Sequence, residues 1–290
     1  GCALRDHRAI SVRYPLDLES RRIKTWPPFL LDLLPQGKAK ERLCQDLGID
    51  ASSKSAELPL LVRSAGSPIG NLRVKEAWQK EQERLEGVSI QGVTIDEIFA
   101  HSEVFGDMVD RFALLASGSS GVQGEWPKIL LTQAKDELFY PDSIVADEDA
   151  RAHVIVKMSQ AKFPEDQLIL EAEAPYLELA RNFGLRVGAP LTHQSGRLVI
   201  PRFDREIVSA QSVIRHGQES LVSGLGVAAF GHITTHEQYI RILAKHCSEP
   251  QVEIVEYVLR DLLSRAMGDS DNHGRNTALQ KRVDGSVRLT

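Results

Sequence analysis

The stretch GDSDNHGRN (268–276) gathers Asp269, Asp271, His273 and Asn276 into nine residues with hardly an apolar side chain among them. Gly, Asp, Asn and Ser are ordinary turn formers, so a surface turn without chemistry is one reading. A catalytic loop is another. Asp271 and Asn276 stand five apart, a separation that lets a carboxylate orient a substrate hydroxyl while an amide oxygen ligates magnesium. His273 would then support the loop by hydrogen bonding or touch a phosphate. A third chemistry uses Asp269, Asp271 and His273 as a metal site that hydrolyses phosphodiesters, which would make the protein a nuclease.

Other pieces of a phosphotransfer site precede this loop in the chain. SGSSGVQG (117–124) is a Gly/Ser segment whose backbone N–H groups could approach phosphates closely, although a flexible connector has the same composition. Lys157 ends the apolar run HVIVKM, and a lysine there needs a partner or an exposed strand end. Glu171 and Glu173 lie on a helix-forming stretch, and either could supply that partner. The order is phosphate loop, lysine strand, glutamate helix, irregular linker, helical half, Asp-to-Asn loop. A kinase-like phosphotransferase assembles its site in that order.

The elements that must position these groups can be read from periodicity. RAISVRYPLDL (8–18) alternates like a strand, and WPPFLLDLLPQGKAKERLCQDLGI (26–49) predicts two short helices around a bend at Pro35 and Gly37, stopped near Gly48. KEAWQKEQERLE (75–86) reads as a mostly solvated helix or charged linker. Thr94 and Glu97 have capping-box spacing and open a helix to about residue 104. KILLT, HVIVKM, LRVGAPL and RLVIPRF read as strands, with a helix over about 165–183 that ends at Gly184. After RFDRE the pattern turns helical, through HEQYIRILAKHC, with Thr234 and Glu237 as a second capping box, and QVEIVEYVLRDLLSRAM. A hairpin with Asp284 and Gly285 as its turn closes the chain.

Composition narrows the class. The 290 residues are 42% hydrophobic and 26% charged, enough for a sizeable core, and the net charge of −5 advertises no nucleic-acid binding by electrostatics. Cys2, Cys44 and Cys247 are too few and too scattered for a disulfide framework or a zinc site, which points to a reducing, cytoplasmic compartment. Cys44 and Cys247 fall in helical apolar patterns and read as inert core thiols. No run approaches the roughly 18 apolar residues of a membrane span. The first residue is not Met and the last lie within a hairpin, so the chain is expected to be truncated at both ends.

The sequence resembles the HipA family of bacterial serine/threonine kinases, the toxin halves of toxin–antitoxin pairs. The residues that carry the resemblance are FLLDLLPQGKAKERL, SSGVQGEWPKILL, HVIVK, EAPYLELARNFGL, RFDR (202–205) and SDNHGRN, and the match runs from about residue 10 to the end. It implies an α+β, two-lobed protein-kinase-like fold with a mixed α/β amino-terminal lobe and a mainly helical carboxy-terminal lobe. The division would be an amino-terminal α/β subdomain over 1–105, a kinase N-lobe core over 106–205 and a helical C-lobe over 206–290.

The resemblance also implies the site. ATP and Mg2+ would be the cofactors and a protein hydroxyl the acceptor. Ser119, Ser120, Gly121 and Val122 would form the phosphate loop, and Lys157 would contact the α/β-phosphates and pair with Glu173. Glu173 is chosen over Glu171 because it stands seven residues before Ala180. Asp271 would be the catalytic aspartate, with Asn276 and Asp271 as magnesium ligands and His273 beside them. Pro201, Arg202 and Phe203 would be the hinge, with the Pro201 carbonyl and the Phe203 N–H meeting adenine. Implied partners are a HipB-like antitoxin, DNA only through that antitoxin or a missing amino-terminal segment, and no membrane. A catalytically dead binding module for an antitoxin or repressor is a further alternative.

Three departures from the family pattern stand out. The loop serine that family members phosphorylate on themselves aligns with Gly118, leaving Ser119 and Ser120 as substitutes. The loop has gained GEW between Gln123 and Pro127. A second metal-binding aspartate is expected just past Thr290, so the chain as it stands is expected to bind magnesium-nucleotide weakly or not at all.

Overall fold

The computed structural model describes residues 9–17, 19–116, 128–159, 164–209, 212–269 and 272–290. The amino-terminal part is helical: α1 (Pro28–Leu31), α2 (Gly37–Leu47), α3 (Glu57–Ser64) and α4 (Lys75–Leu85). The expected bend separates α1 from α2, and α2 stops at Gly48, whose φ of 65° suits glycine. Leu31, Leu34, Leu43, Cys44, Leu60 and Leu61 pack together here. Each such side chain contributes roughly 1.5–3 kcal/mol on burial.

Next come α5 (Ile95–Phe99), α6 (Glu103–Ala116), β1 (Lys128–Ala134), β2 (Phe139–Pro141) and β3 (Ala150–Met158), then α7 (Pro164–Asn182), β4 (Thr192–Gln194) and β5 (Arg197–Pro201). The five strands form one antiparallel sheet in the order β2-β1-β3-β5-β4. Helices α5 and α6 cover one face, where Phe105, Met108 and Phe112 meet Ile129, Leu131 and Val156.

The rest runs β6 (Arg205–Ser209), β7 (Ser212–Arg215), β8 (Gly217–Ser220), α8 (Leu221–Leu225), α9 (His236–His246), α10 (Pro250–Met267), β9 (Ala278–Lys281) and β10 (Val287–Leu289). Strands β6 and β7 pair as a hairpin, and β10-β9-β8 form a small sheet. Helices α9 and α10 pack with that sheet through Leu243, Tyr257, Leu279 and Leu289. Cys247 is buried in the same cluster, as its apolar pattern suggests.

Several elements differ from their expected form. Residues 9–17 hold one isolated bridge, Ser11 to Tyr14, instead of a strand, because the Glu219 carboxylate takes up the Ser11 hydroxyl (2.7 Å) and the Val12 N–H (2.7 Å). The Thr94–Glu97 capping box is present, but α5 ends at Phe99, and His101, with φ 58°, separates it from α6. LRVGAPL is not a strand. Glu256 accepts the Arg186 N–H (3.1 Å) and Glu253 binds its guanidinium, so this segment is pinned to α10. Three strands, β6 to β8, precede the helices expected after RFDRE, and the N-cap position of α9 falls on Thr235 rather than Thr234, without a side-chain cap hydrogen bond, so the second capping box is not formed.

Candidate active site

Residues opposed in an antiparallel register share a face, so the pairing of β1, β3 and β5 sorts their side chains into rows. On the face away from α5 and α6, Lys128, Lys157 and Leu198 form one row and Leu130, Ile155 and Ile200 the next. Thr132 and His153 begin a third. The rows run from cationic through apolar to polar.

The cationic row holds the expected lysine. The Lys157 ammonium donates to both oxygens of Glu173 on α7, each at 2.8 Å, and both side chains are partly exposed. Glu171 instead accepts from Gln167 on its own helix (2.9 Å). Lys128 was missed by sequence reasoning, although a lysine opening an apolar strand was a visible signal. It is buried, and burial, with Lys157 beside it, pushes its ammonium down to about 7 against a smaller pull upward from Glu173.

On α7, Glu173, Leu177 and Ala180 lie at spacings of four and three and so share a helix face. Leu177 and Ala180 line a cavity of about 650 Å³ together with Ile200, Pro201 and Phe203 on one side and Leu263, Asp269 and Asn276 on the other. That volume suits a drug-sized or nucleotide-sized molecule.

The backbone of Pro201 to Phe203 explains how a strand can serve a ligand. Arg202 donates its N–H to the His153 carbonyl of β3 (2.8 Å). Alternate residues of an extended chain send their polar groups to opposite edges, so Pro201, the last residue of β5, turns its carbonyl away from β3. Strand β4 pairs only with residues 197–199 and leaves that edge open. The Phe203 carbonyl there accepts from Gln280 (2.9 Å), another cavity residue. Proline lacks an N–H but keeps its carbonyl, as this edge requires.

The charged side chains of RFDR do something that sequence reasoning did not foresee. The Arg202 guanidinium is fully buried and forks onto Asp204 (2.8 and 2.6 Å), with Asp142 at 3.1 Å. Asp142 also accepts from Ser67 (2.8 Å) and Thr132 (2.8 Å) and lies 3.2 Å from His153, while Asp204 accepts the Gly70 N–H (2.7 Å). Burial alone would raise Asp142, but Arg202 and Arg205 outweigh it and hold the carboxyl well below the usual range. Burial lowers Arg205 to about 10, and neighbouring Arg202 pushes the same way. This charge node ties residues 67–70 to the sheet directly behind the open edge.

The GDSDNHGRN loop follows α10, which ends at Gly268 in the left-handed region (φ 73°). Asp269 accepts from Ser264 (3.1 Å) and lines the cavity. His273 and Asn276 are exposed, and the Asn276 N–H donates to the His273 carbonyl (2.9 Å). Gly274 fits closely under Tyr239: an added Cβ would lie 2.2 Å from the Tyr239 hydroxyl oxygen, so one of the two would have to shift. Arg275 is buried and donates to Asp32 (2.8 Å) and to the Ala229 carbonyl (2.7 Å). Asp32, a lone carboxylate amid leucines in FLLDLLP, was also a readable signal that was missed.

Lys157 and Glu173 are thus brought together, and Pro201, Arg202, Phe203 and Asn276 share one cavity. His273 is not among the cavity residues. Ser119, Ser120, Gly121, Val122 and Asp271 lie outside the described residues. Among the described residues no group of three or more His, Cys, Asp or Glu could hold a metal ion, and no helix is long and apolar enough to cross a membrane.

Two family models match the chain. The HipA N-terminal domain covers residues 2–75, and the HipA-like C-terminal domain covers 120–290, more than half of the chain by itself. The chain belongs to the HipA family. A solved relative is HipA of Shewanella oneidensis MR-1, from the complex of that toxin–antitoxin system's HipA and HipB with operator DNA. It is 19% identical with a TM-score of 0.55 over 91% of this chain, and the chain covers 62% of that HipA. The likeness extends to the fold, a HipA-type mixed α/β architecture of antiparallel sheets and helices. No curated protein matches the sequence.

Proposed function

We propose that this HipA-family chain belongs to a serine/threonine protein kinase that moves the γ-phosphoryl group of ATP onto a protein hydroxyl and arrests growth as the toxin of a toxin–antitoxin pair. The observation that carries the reading is the Lys157–Glu173 pair, both contacts at 2.8 Å, on the helix face that continues into the cavity lined by Pro201, Phe203 and Asn276.

In this reading the open strand edge takes the adenine, with the Pro201 carbonyl accepting and the Phe203 N–H donating, and Ile200 and Leu263 supply apolar walls. Lys157, fixed by Glu173, meets the α/β-phosphates under the loop of Ser119, Ser120, Gly121 and Val122. Asp271 orients the acceptor hydroxyl and takes its proton as the new oxygen–phosphorus bond forms and ADP leaves. Asn276 and Asp271 present only oxygen donors, which fits magnesium; that ion keeps several waters and takes one or two carboxylates together with substrate phosphates. Bound there, magnesium would neutralise charge on the transferring phosphoryl group. His273, exposed on the same loop, accepts the Arg275 N–H at Nδ1 (3.3 Å) and would meet phosphate or substrate through the rest of its ring.

A HipB-like antitoxin is the proposed partner, by analogy with the Shewanella HipA complex, and DNA contact would come through that antitoxin. The place of action is the cytoplasm. The nuclease reading has less support, since the Asp269 carboxylate is engaged by Ser264.

The test is mass spectrometry of the protein and of a cell extract after incubation with Mg-ATP, beside Asp271→Asn. Phosphoryl increments on seryl or threonyl residues that vanish in the variant are expected. Equal phosphorylation by Asp271→Asn would overturn the assignment.

A further inference from the structure

Asp32 and Arg275 form a buried ion pair between the amino-terminal helices and the loop after α10. Asp32 is 1% exposed and Arg275 4%. The contact is 2.8 Å, and the same carboxylate accepts the Ser220 N–H (2.9 Å) and the Ser220 hydroxyl (2.8 Å). Ser220 is the N-cap of α8, accepting from the Ser223 N–H. The first residues of α8 grip the loop in turn: Val222 donates to the Gly274 carbonyl (3.4 Å) and Leu221 to the Thr277 carbonyl (3.0 Å). Asp32 therefore reaches the loop by two routes, one through a guanidinium and one through a helix start.

Among the described residues Asp32 is the carboxylate that Arg275 meets. Its second arm binds the Ala229 carbonyl, and its guanidinium lies 5.2 Å from the centre of the Phe230 ring. Arg275 is flanked by Gly274, which fits under Tyr239, and by Asn276, which borders the cavity. A shift of Arg275 would move Asn276 with it.

We infer that Asp32 is a positioning residue for the active-site loop, so that the amino-terminal helices form a built-in part of the carboxy-terminal half of the site. Its consequence for magnesium-nucleotide rests on the function proposed above; the mechanical claim does not. Removing the Asp32 charge leaves a buried guanidinium without its counter-ion, a costly state that the loop relieves by opening.

The experiment is hydrogen exchange by mass spectrometry on the wild type, Asp32→Asn and Arg275→Lys, together with binding of adenosine and of Mg-ADP. Asp32→Asn is expected to speed exchange over residues 272–279 on the order of a hundredfold or more, given the cost of an unpaired buried charge. Peptides from β1 and β3 should keep their protection. Adenosine affinity should hold, while the gain in ADP affinity on adding magnesium should fall. Arg275→Lys keeps the charge but loses the forked geometry, and a smaller change in the same peptides is expected; it carries the test should Asp32→Asn fail to fold. Unchanged loop exchange, or acceleration spread evenly over the chain, would overturn the inference. A full-length wild type that binds no nucleotide while Asp32→Asn still loosens the loop would sink the kinase reading and leave the positioning role standing.

Discussion

Lys128 and Lys157 are direct partners in register across β1 and β3, two lysines side by side on the cleft face of one sheet. One is buried and the other is neutralised by Glu173. The pairing places a titratable group within the cationic row, and its effects can be measured.

Burial and the neighbouring lysine bring Lys128 to about 7 in the folded protein, against roughly 10.4 in an unfolded chain. Between these values the unfolded chain binds more protons, so the wild type should gain stability as pH rises from 7 towards 10. Urea denaturation at pH 7 and pH 9.5 should give a gain on the order of a few kcal/mol that Lys128→Met lacks. A flat wild-type profile would contradict the burial of a charged Lys128.

The Lys157–Glu173 pair is partly exposed and should matter little to stability, about 0–1 kcal/mol. Lys157→Met should leave the melting temperature almost unchanged while phosphotransfer falls by about 100-fold or more, as for loss of a preorganised transition-state contact. Paired thermal and kinetic assays separate the two effects.

Asp142→Asn removes one anion from the node around Arg202 and should cost about 3–5 kcal/mol at pH 7, because two buried cations lose a partner. The depressed carboxyls of Asp142 and Asp204 contribute stability that is fully present above roughly pH 4 and is lost as pH falls through their folded values. An acid titration followed by circular dichroism should therefore show a shallower acid limb in the variant.

Gly274→Ala should disturb the loop by pressing a methyl group into the Tyr239 ring, at about 1–3 kcal/mol. Tyr239→Phe removes the hydroxyl but keeps ring carbons 2.3 and 2.6 Å from the added Cβ, so the double variant should recover little of the loss in a denaturation series.

Much of this organisation was open to reading from the chain. The Pro35–Gly37 break, the Thr94–Glu97 box and the strand over HVIVKM rest on local spacing, and the local geometry follows, whereas the choice of Glu173 over Glu171 came from the family resemblance. What stayed hidden is held by distant partners. Residues 9–17 alternate like a strand, yet Glu219, more than 200 positions away, takes the polar groups that a neighbouring strand would need. Asp32 looked like one polar residue in an apolar run because its partner, Arg275, lies at the other end of the chain. RFDR was legible as a motif, but the burial of its charges depends on Asp142 and Gly70, which no spacing connects to it.

The row arrangement on the sheet also divides the chain into positions that tolerate insertion and positions that do not. Side chains alternate with a period of two, so one extra residue within 128–134 would swing Lys128 into the apolar layer under α6 and bring core residues to the cleft. Residues added ahead of Lys128 would leave the phase of β1 unchanged. Segment length ahead of β1 and strand phase are thus separate variables: the first can change while the register of Lys128, Lys157 and Ile200 stays locked.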